Sequence, residues 1–227
     1  MWEENFMNNR QNIVLFWIGT LSFISGYANV YGIILIGLTL THFSGDVSKA
    51  AIHFVAHTPL DEHILQIIIG LTLFLLGNVF SGYFIGERSF NLKKRYGFIF
   101  VGMGLAIFFT YMIFGRNKNF AYILCFTTGI QNGLFMTYKG ILIRTSHITG
   151  SISDLGVYIG YKLRGLKVDN IKIFYYITTI LAFFVGGVFS SYLYGKFGKD
   201  AIILVPILYF LVGAEYFQIK RDFENNK

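Results

Sequence analysis

Residues 13–40 read IVLFWIGTLSFISGYANVYGIILIGLTL, 28 residues without one charged side chain. Wound as an α-helix, such a run is about 42 Å long. The hydrocarbon core of a bilayer is only about 30 Å thick. A stretch this apolar and this long belongs in lipid, and there it must tilt or break. Five more apolar runs follow: Ile64–Gly86, Tyr96–Gly115, Phe120–Ile143, Ile173–Gly195 and Ala201–Ile219. Each is close to or above the roughly 20 residues a spanning helix needs. Lipid offers no hydrogen bonds to a polypeptide backbone, so each run is expected to satisfy its own N–H and C=O groups as a helix. The fold class that follows is an all-α membrane protein, a single domain over 1–227 with six transmembrane helices.

Composition agrees. The chain is 54% hydrophobic and 14% charged, where soluble domains average about 25% charged. Its net charge of +7 reads as loop bias rather than as a nucleic-acid surface. With six spans, 13 of the Lys and Arg side chains fall on the side of the termini and 5 on the other, with Lys139 inside the fourth run. The positive-inside rule then puts both termini in the cytoplasm. The one cysteine, Cys125, excludes an internal disulfide and a cysteine-based metal cluster. The opening MWEENFMNNR lacks the basic segment of a cleaved leader, so the first run is expected to remain as a span.

The chain repeats itself. SGYANVYGIILIGLTLTHFSGDVS (25–48) aligns with TGIQNGLFMTYKGILIRTSHITGSIS (128–153), pairing Gly26 with Gly129, Asn29 with Asn132 and His42 with His147. A second block, LGNVFSGYFIG (76–86), aligns with VGGVFSSYLYG (185–195) in the same order. The offsets, 103 to 109 residues, predict a duplicated three-span unit, one copy over about 13–115 and the other over about 119–219. Three spans are an odd number, so the second copy is expected to enter the membrane upside down. His42 would then face outside and His147 the cytoplasm. Inverted repeats with interrupted helices are a transporter architecture.

The polar residues of the repeat are the candidate binding groups: Asn29, His42 and Asp46 in the first copy, Gln131, Asn132, Arg144, His147 and Asp154 in the second. Asn within a span bonds to a neighbouring helix or a ligand. Ser44-Gly45-Asp46 and Ser151-Ile152-Ser153-Asp154 carry helix-start chemistry, and a helix N-terminus suits an anion or polar ligand. The alternative is that these groups cap helices and glue spans together. Lys139 and Glu215 are ionisable within apolar runs, which marks a functional position unless they snorkel to the interface. His53 and His57, four residues apart, are weak metal candidates. No metal or other cofactor is expected. Residues 153–167 form an amphipathic stretch, expected to lie on the cytoplasmic leaflet.

FISGYANVYG, LTHFSGDVS and above all GIQNGLFMTYKGILIRTSHITGSISDLG resemble the YoaK family of bacterial integral membrane proteins. The resemblance runs from about Ile13 to Phe217 and implies a multi-pass protein of the bacterial inner membrane. The loop GERSFNLKKRYG (86–97) is loosely similar to the basic loop between the second and third spans of major facilitator carriers. The expectation for function is a small-molecule transporter working by alternating access, with an unknown substrate. Six spans equal half of a twelve-span carrier, so a homodimer is expected, with lipid as the other partner and no nucleic acid. An enzyme is not expected, since no H-E-x-x-H, nucleophile elbow or paired-carboxylate motif is present. That reading would require His147, Asp154 and Arg144 in one closed pocket. A scaffold or sensor would require a packed bundle with no central opening.

Overall fold

The computed structural model describes residues 2–56, 62–86, 95–114, 117–134, 136–138 and 141–225. Its helices are α1 (Trp2–Ile36), α2 (Ser44–Val55), α3 (Glu62–Ile85), α4 (Tyr96–Phe114), α5 (Ala121–Gly133), α6 (Ile148–Leu163), α7 (Asn170–Phe197) and α8 (Leu204–Asn225). Between α5 and α6 stand two short antiparallel strands, β1 (Met136–Tyr138) and β2 (Ile141–Ile143), with Met136 opposite Ile143. The apolar stretches Ile13–Ile36, Glu62–Ile85, Tyr96–Phe114 and Asn170–Gln218 are long enough to cross a bilayer. The last of these holds both α7 and α8, joined by the 3-10 turn Gly198–Ile203.

Two of the expected spans are interrupted. The first run does not stay helical to Leu40. α1 stops at Ile36, Gly37 takes φ +73°, and the chain turns back on itself before α2 begins. A left-handed backbone at that point favours glycine. The fourth run, Phe120–Ile143, is not one span either: α5 ends at Gly133 and the hairpin follows. Hydropathy cannot separate the two outcomes, because it reads composition and not the path of the backbone. Non-helical backbone at membrane depth is tolerated where protein surrounds it.

Four glycines set the packing. A Cβ on Gly26 would lie 1.9 Å from the carbonyl oxygen of Phe183, and one on Gly186 would lie 2.1 Å from that of Phe23. The same reciprocity joins α3 to α5: Gly77 against the Phe126 carbonyl at 2.1 Å, Gly129 against that of Phe74 at 2.2 Å. Each glycine follows its own phenylalanine by three residues, in FISG, FLLG, FTTG and FFVG. Small residues let helix backbones touch, and in lipid that close packing is a main source of helix association. α1 therefore lies parallel to α7, and α3 parallel to α5. α4 and α8 cross in the opposite sense, with Gly97 beside Tyr216 and Gly104 beside Pro206.

Around these contacts runs an aromatic core. Trp17 stacks on Tyr216 and meets Tyr96 and Phe100 edge-on, and Phe100 stacks on Tyr209. On the outside, Phe16, Val79, Phe98, Phe184 and Val188 are exposed, as side chains facing acyl chains should be. Gly129→Ala and Gly186→Ala are each expected to cost about 1–3 kcal/mol, since backbone must move to admit the methyl. Gly82→Ala, whose Cβ meets nothing within 4 Å, should stay within about 0.5 kcal/mol of wild type. Denaturant unfolding in mixed micelles measures all three.

Candidate functional site

The two copies of the repeated phrase meet. The imidazole rings of His42 and His147 lie 5.9 Å apart, edge to face. His42 also packs edge-on against Phe183, which is halfway along α7. The expectation of one histidine on each membrane face is therefore wrong. It assumed that the chain leaves the bilayer after each span, whereas both segments fold back inside it.

Each fold-back is braced by the asparagine of its own copy. Asn29 Oδ1 accepts from the Leu40 N–H at 2.9 Å, the Thr41 N–H at 3.2 Å and the Thr41 hydroxyl at 3.0 Å. Asn132 Oδ1 accepts from the Ser146 hydroxyl at 2.7 Å. Thr41 and Ser146 each immediately precede a histidine, so the two braces are equivalent. Because the Thr41 hydroxyl gives its proton to Asn29, it accepts from His42 Nδ1 at 2.7 Å. His42 Nε2 is then the bare nitrogen and accepts the Ile148 N–H at 3.1 Å. This pattern assigns His42 as a neutral ring protonated on Nδ1. It also lets a residue of the first copy cap the first N–H of α6. His147 caps the same helix, its Nδ1 accepting from Gly150 N at 3.1 Å.

Capping thus differs from the expected pattern. No side chain caps the start of α2. Asp46 is buried and folds back instead, its Oδ2 accepting from the Thr39 hydroxyl at 2.7 Å and its N–H at 3.3 Å. Its other oxygen pairs with Lys49 at 3.2 Å. Ser151 and Ser153 bond backward along α6, to the carbonyls of His147 and Thr149.

Gln131 ties the fold-backs to the bundle. Its Nε2 lies 2.8 Å from the Leu21 carbonyl, 2.8 Å from the Ser25 hydroxyl and 2.9 Å from the Thr145 hydroxyl, while Oε1 accepts from Tyr209 at 2.7 Å. Thr128, also on α5, reaches the Leu40 carbonyl at 3.0 Å. Thr128 and Thr41, with Gln131's partners Ser25, Thr145 and Tyr209, were not among the sequence candidates. Thr128 opens the aligned segment and so was within sight, but no pattern marks Tyr209.

The Arg144 carbonyl accepts from the His147 N–H at 3.4 Å, while the Arg144 and Asp154 side chains lie near Tyr176 of α7. With Tyr158 stacked on Tyr176 at 5.9 Å, this contact fastens α6 to α7. α6 covers much of the stretch expected to lie on the leaflet, but it starts at the histidine junction, and Leu155 and Tyr158 pack inward while Ile159 and Leu163 are exposed. His53 is half-buried on α2, and no group of three metal-ligating side chains occurs among the described residues. His57, Lys139 and most of the basic loop (87–94) lie outside the described residues.

Long apolar helices, lipid-facing aliphatic and aromatic side chains and buried backbone breaks define an all-helical integral membrane protein. Residues 18–214 match the family described as protein of unknown function DUF1275, and the chain belongs to that family. No curated protein and no solved structure matches it.

Gln131→Leu leaves the Tyr209 and Thr145 hydroxyls without this partner and is expected to cost about 2–4 kcal/mol. Tyr209→Phe removes one hydrogen bond and should cost about 1 kcal/mol. Since the two side chains share that bond, the double variant should cost less than the sum. A double-mutant cycle on the same unfolding transition reads the difference.

Proposed function

We propose that the protein is a carrier for a small polar or anionic solute, built from two three-span repeats of opposite polarity that exchange access around the His42–His147 junction. The observation that carries this reading is the meeting of two interrupted helices at that junction, level with the middle of α7. Carriers built on inverted repeats place their sites where broken helices face one another.

The packing supports opposite polarity. α1 of the first copy lies parallel to α7 of the second, and α3 of the first parallel to α5 of the second, through equivalent glycine contacts. Since α1 and α3 are consecutive spans running opposite ways, the first helix of one copy opposes the first helix of the other.

The chemistry at the junction suits the solute class. α2 starts two residues after His42, and α6 one residue after His147. Both helices therefore direct the positive end of their dipoles towards the junction. His42 and His147 are half-buried, so the junction is reachable, while the asparagines behind them are occupied in holding the loops. In this reading His147, whose Nδ1 caps α6, offers Nε2 to the solute, and His42, Asn29, Asn132, Asp46 and Gln131 position the segments around it.

Alternating access is testable without knowing the solute. Ser146, buried beside the junction, is replaced by Cys in a Cys125→Ser background. Right-side-out and inverted vesicles are then treated with a charged, membrane-impermeant thiosulfonate. A carrier exposes Ser146→Cys to the reagent from both sides. Modification from one side only, or from neither, overturns the proposal.

A further inference from the structure

Away from the junction, a groove of about 680 Å³ opens between α3, α4 and α5. Its walls are apolar, with Phe80 and Phe84 from α3, Phe98 and Met103 from α4, and Phe126 and Ile130 from α5. Arg95 stands at one end, where α4 begins. From Arg95 to Ala106, the groove follows α4 for about 16 Å at 1.5 Å per residue, the length scale of an acyl chain. Its rim includes Phe98, 69% exposed on the lipid-facing side, so a membrane lipid has direct access.

Two positions that line the groove have larger counterparts in the other copy. At the 103-residue offset of the first aligned block, Tyr27 stands for Ile130 and Ile24 for Thr127. Tyr27 and Ile24 are fully buried, so larger side chains fill the corresponding space in the other half. At Gly102 itself an added Cβ would meet nothing within 4 Å. Gly102 therefore leaves room along α4, whose first turn follows Arg95.

We propose that this groove binds one anionic phospholipid, an acyl chain lying along α4 and the head group paired with Arg95. Charge complementarity selects the occupant. Basic residues at the cytoplasmic ends of spans attract anionic head groups, and an apolar slot open to the bilayer is filled by a chain from that bilayer. A volume in the range of ordinary ligand sites accommodates an ordered chain. Neither the His42–His147 junction nor the carrier reading is needed for this site.

The test is native mass spectrometry of the full chain, released from micelles holding equal amounts of phosphatidylglycerol and phosphatidylcholine, with palmitate in a parallel sample. Wild type should keep one phosphatidylglycerol per chain in preference to phosphatidylcholine. Arg95→Gln should reduce that preference about fivefold, the worth of one basic side chain near a lipid surface. Gly102→Leu, which places a branched side chain in the open space beside α4, should abolish retention of either lipid. Melting temperatures check that both variants fold, and Gly102→Ala serves as the folded control should the leucine variant not do so, with retention reduced rather than lost. Equal retention of the two phospholipids by wild type, an undiminished preference in Arg95→Gln, or undiminished retention in the folded Gly102 variant overturns the proposal. So does tighter binding of palmitate than of phosphatidylglycerol, which would make the occupant a free fatty acid, or a dimer that carries no lipid, which would make it a second copy.

Discussion

Backbone-to-backbone contact at four glycines is the constraint on which the rest depends. In water, a bundle this apolar would be held by the hydrophobic effect. In lipid the solvent is as oily as the side chains, and association relies on close packing and hydrogen bonds. Gly26 with Gly186 and Gly77 with Gly129 bring helix axes together until Cα hydrogens face carbonyl oxygens. Those two crossings fix α1 against α7 and α3 against α5. They also determine where the fold-backs end up, since each follows a helix that the crossings hold in place.

A second constraint acts on the fold-backs themselves. Residues 37–43 leave the helix where no water is at hand, and each unpaired backbone group there would cost several kcal/mol. The structure pairs them with a small set of side chains. Asn29 receives two N–H groups, Asp46 a third, and Thr128 donates to the Leu40 carbonyl. This explains why the polar residues of so apolar a chain cluster near the junction. It also separates roles among them: Asn29, Asp46, Gln131 and His42 are occupied by the protein's own backbone and side chains, whereas the half-buried His147 uses only Nδ1.

Much of this was legible in the sequence, and the boundary follows physical lines. Apolar length gave five of the long helices, because lipid imposes one length scale on every span. The pairing of Asn29 with Asn132 and of His42 with His147 also came through, since equivalent braces need equivalent residues. The path of the chain after each first helix did not. Residues 120–143 are apolar enough for a span, and nothing in mean hydropathy distinguishes one helix from a shorter helix followed by a hairpin. Histidines placed in loops were expected on opposite faces, yet a loop that returns into the bundle can meet its counterpart. The Phe-x-x-Gly spacing occurs seven times in the chain, and four of these are the helix crossings. A three-residue spacing with one large and one small side chain is common in apolar helices, and only the crossings show its use.

The departures from symmetry bear on how such a molecule could move. At the turn between α7 and α8, three tyrosines close the bundle: Tyr27 donates to the Ala201 carbonyl at 2.6 Å, Tyr31 to that of Lys199 at 2.8 Å, and Tyr111 to the Asp200 carboxylate. The related positions for the first two, Ile130 and Leu134, have no hydroxyl to offer. Two identical halves would give two conformations of equal energy, with no preference between them. If the carrier proposal holds, three hydrogen bonds on one side, each worth about 1 kcal/mol net, would favour the state in which that end is shut. An anionic lipid seated between α3 and α4 would act on the other end, where the chain has left space rather than filled it. Under the carrier reading, the resting conformation is then set by side chains at the α7–α8 end and tuned by the membrane at the α3–α4 end, while the histidine junction remains common to both states.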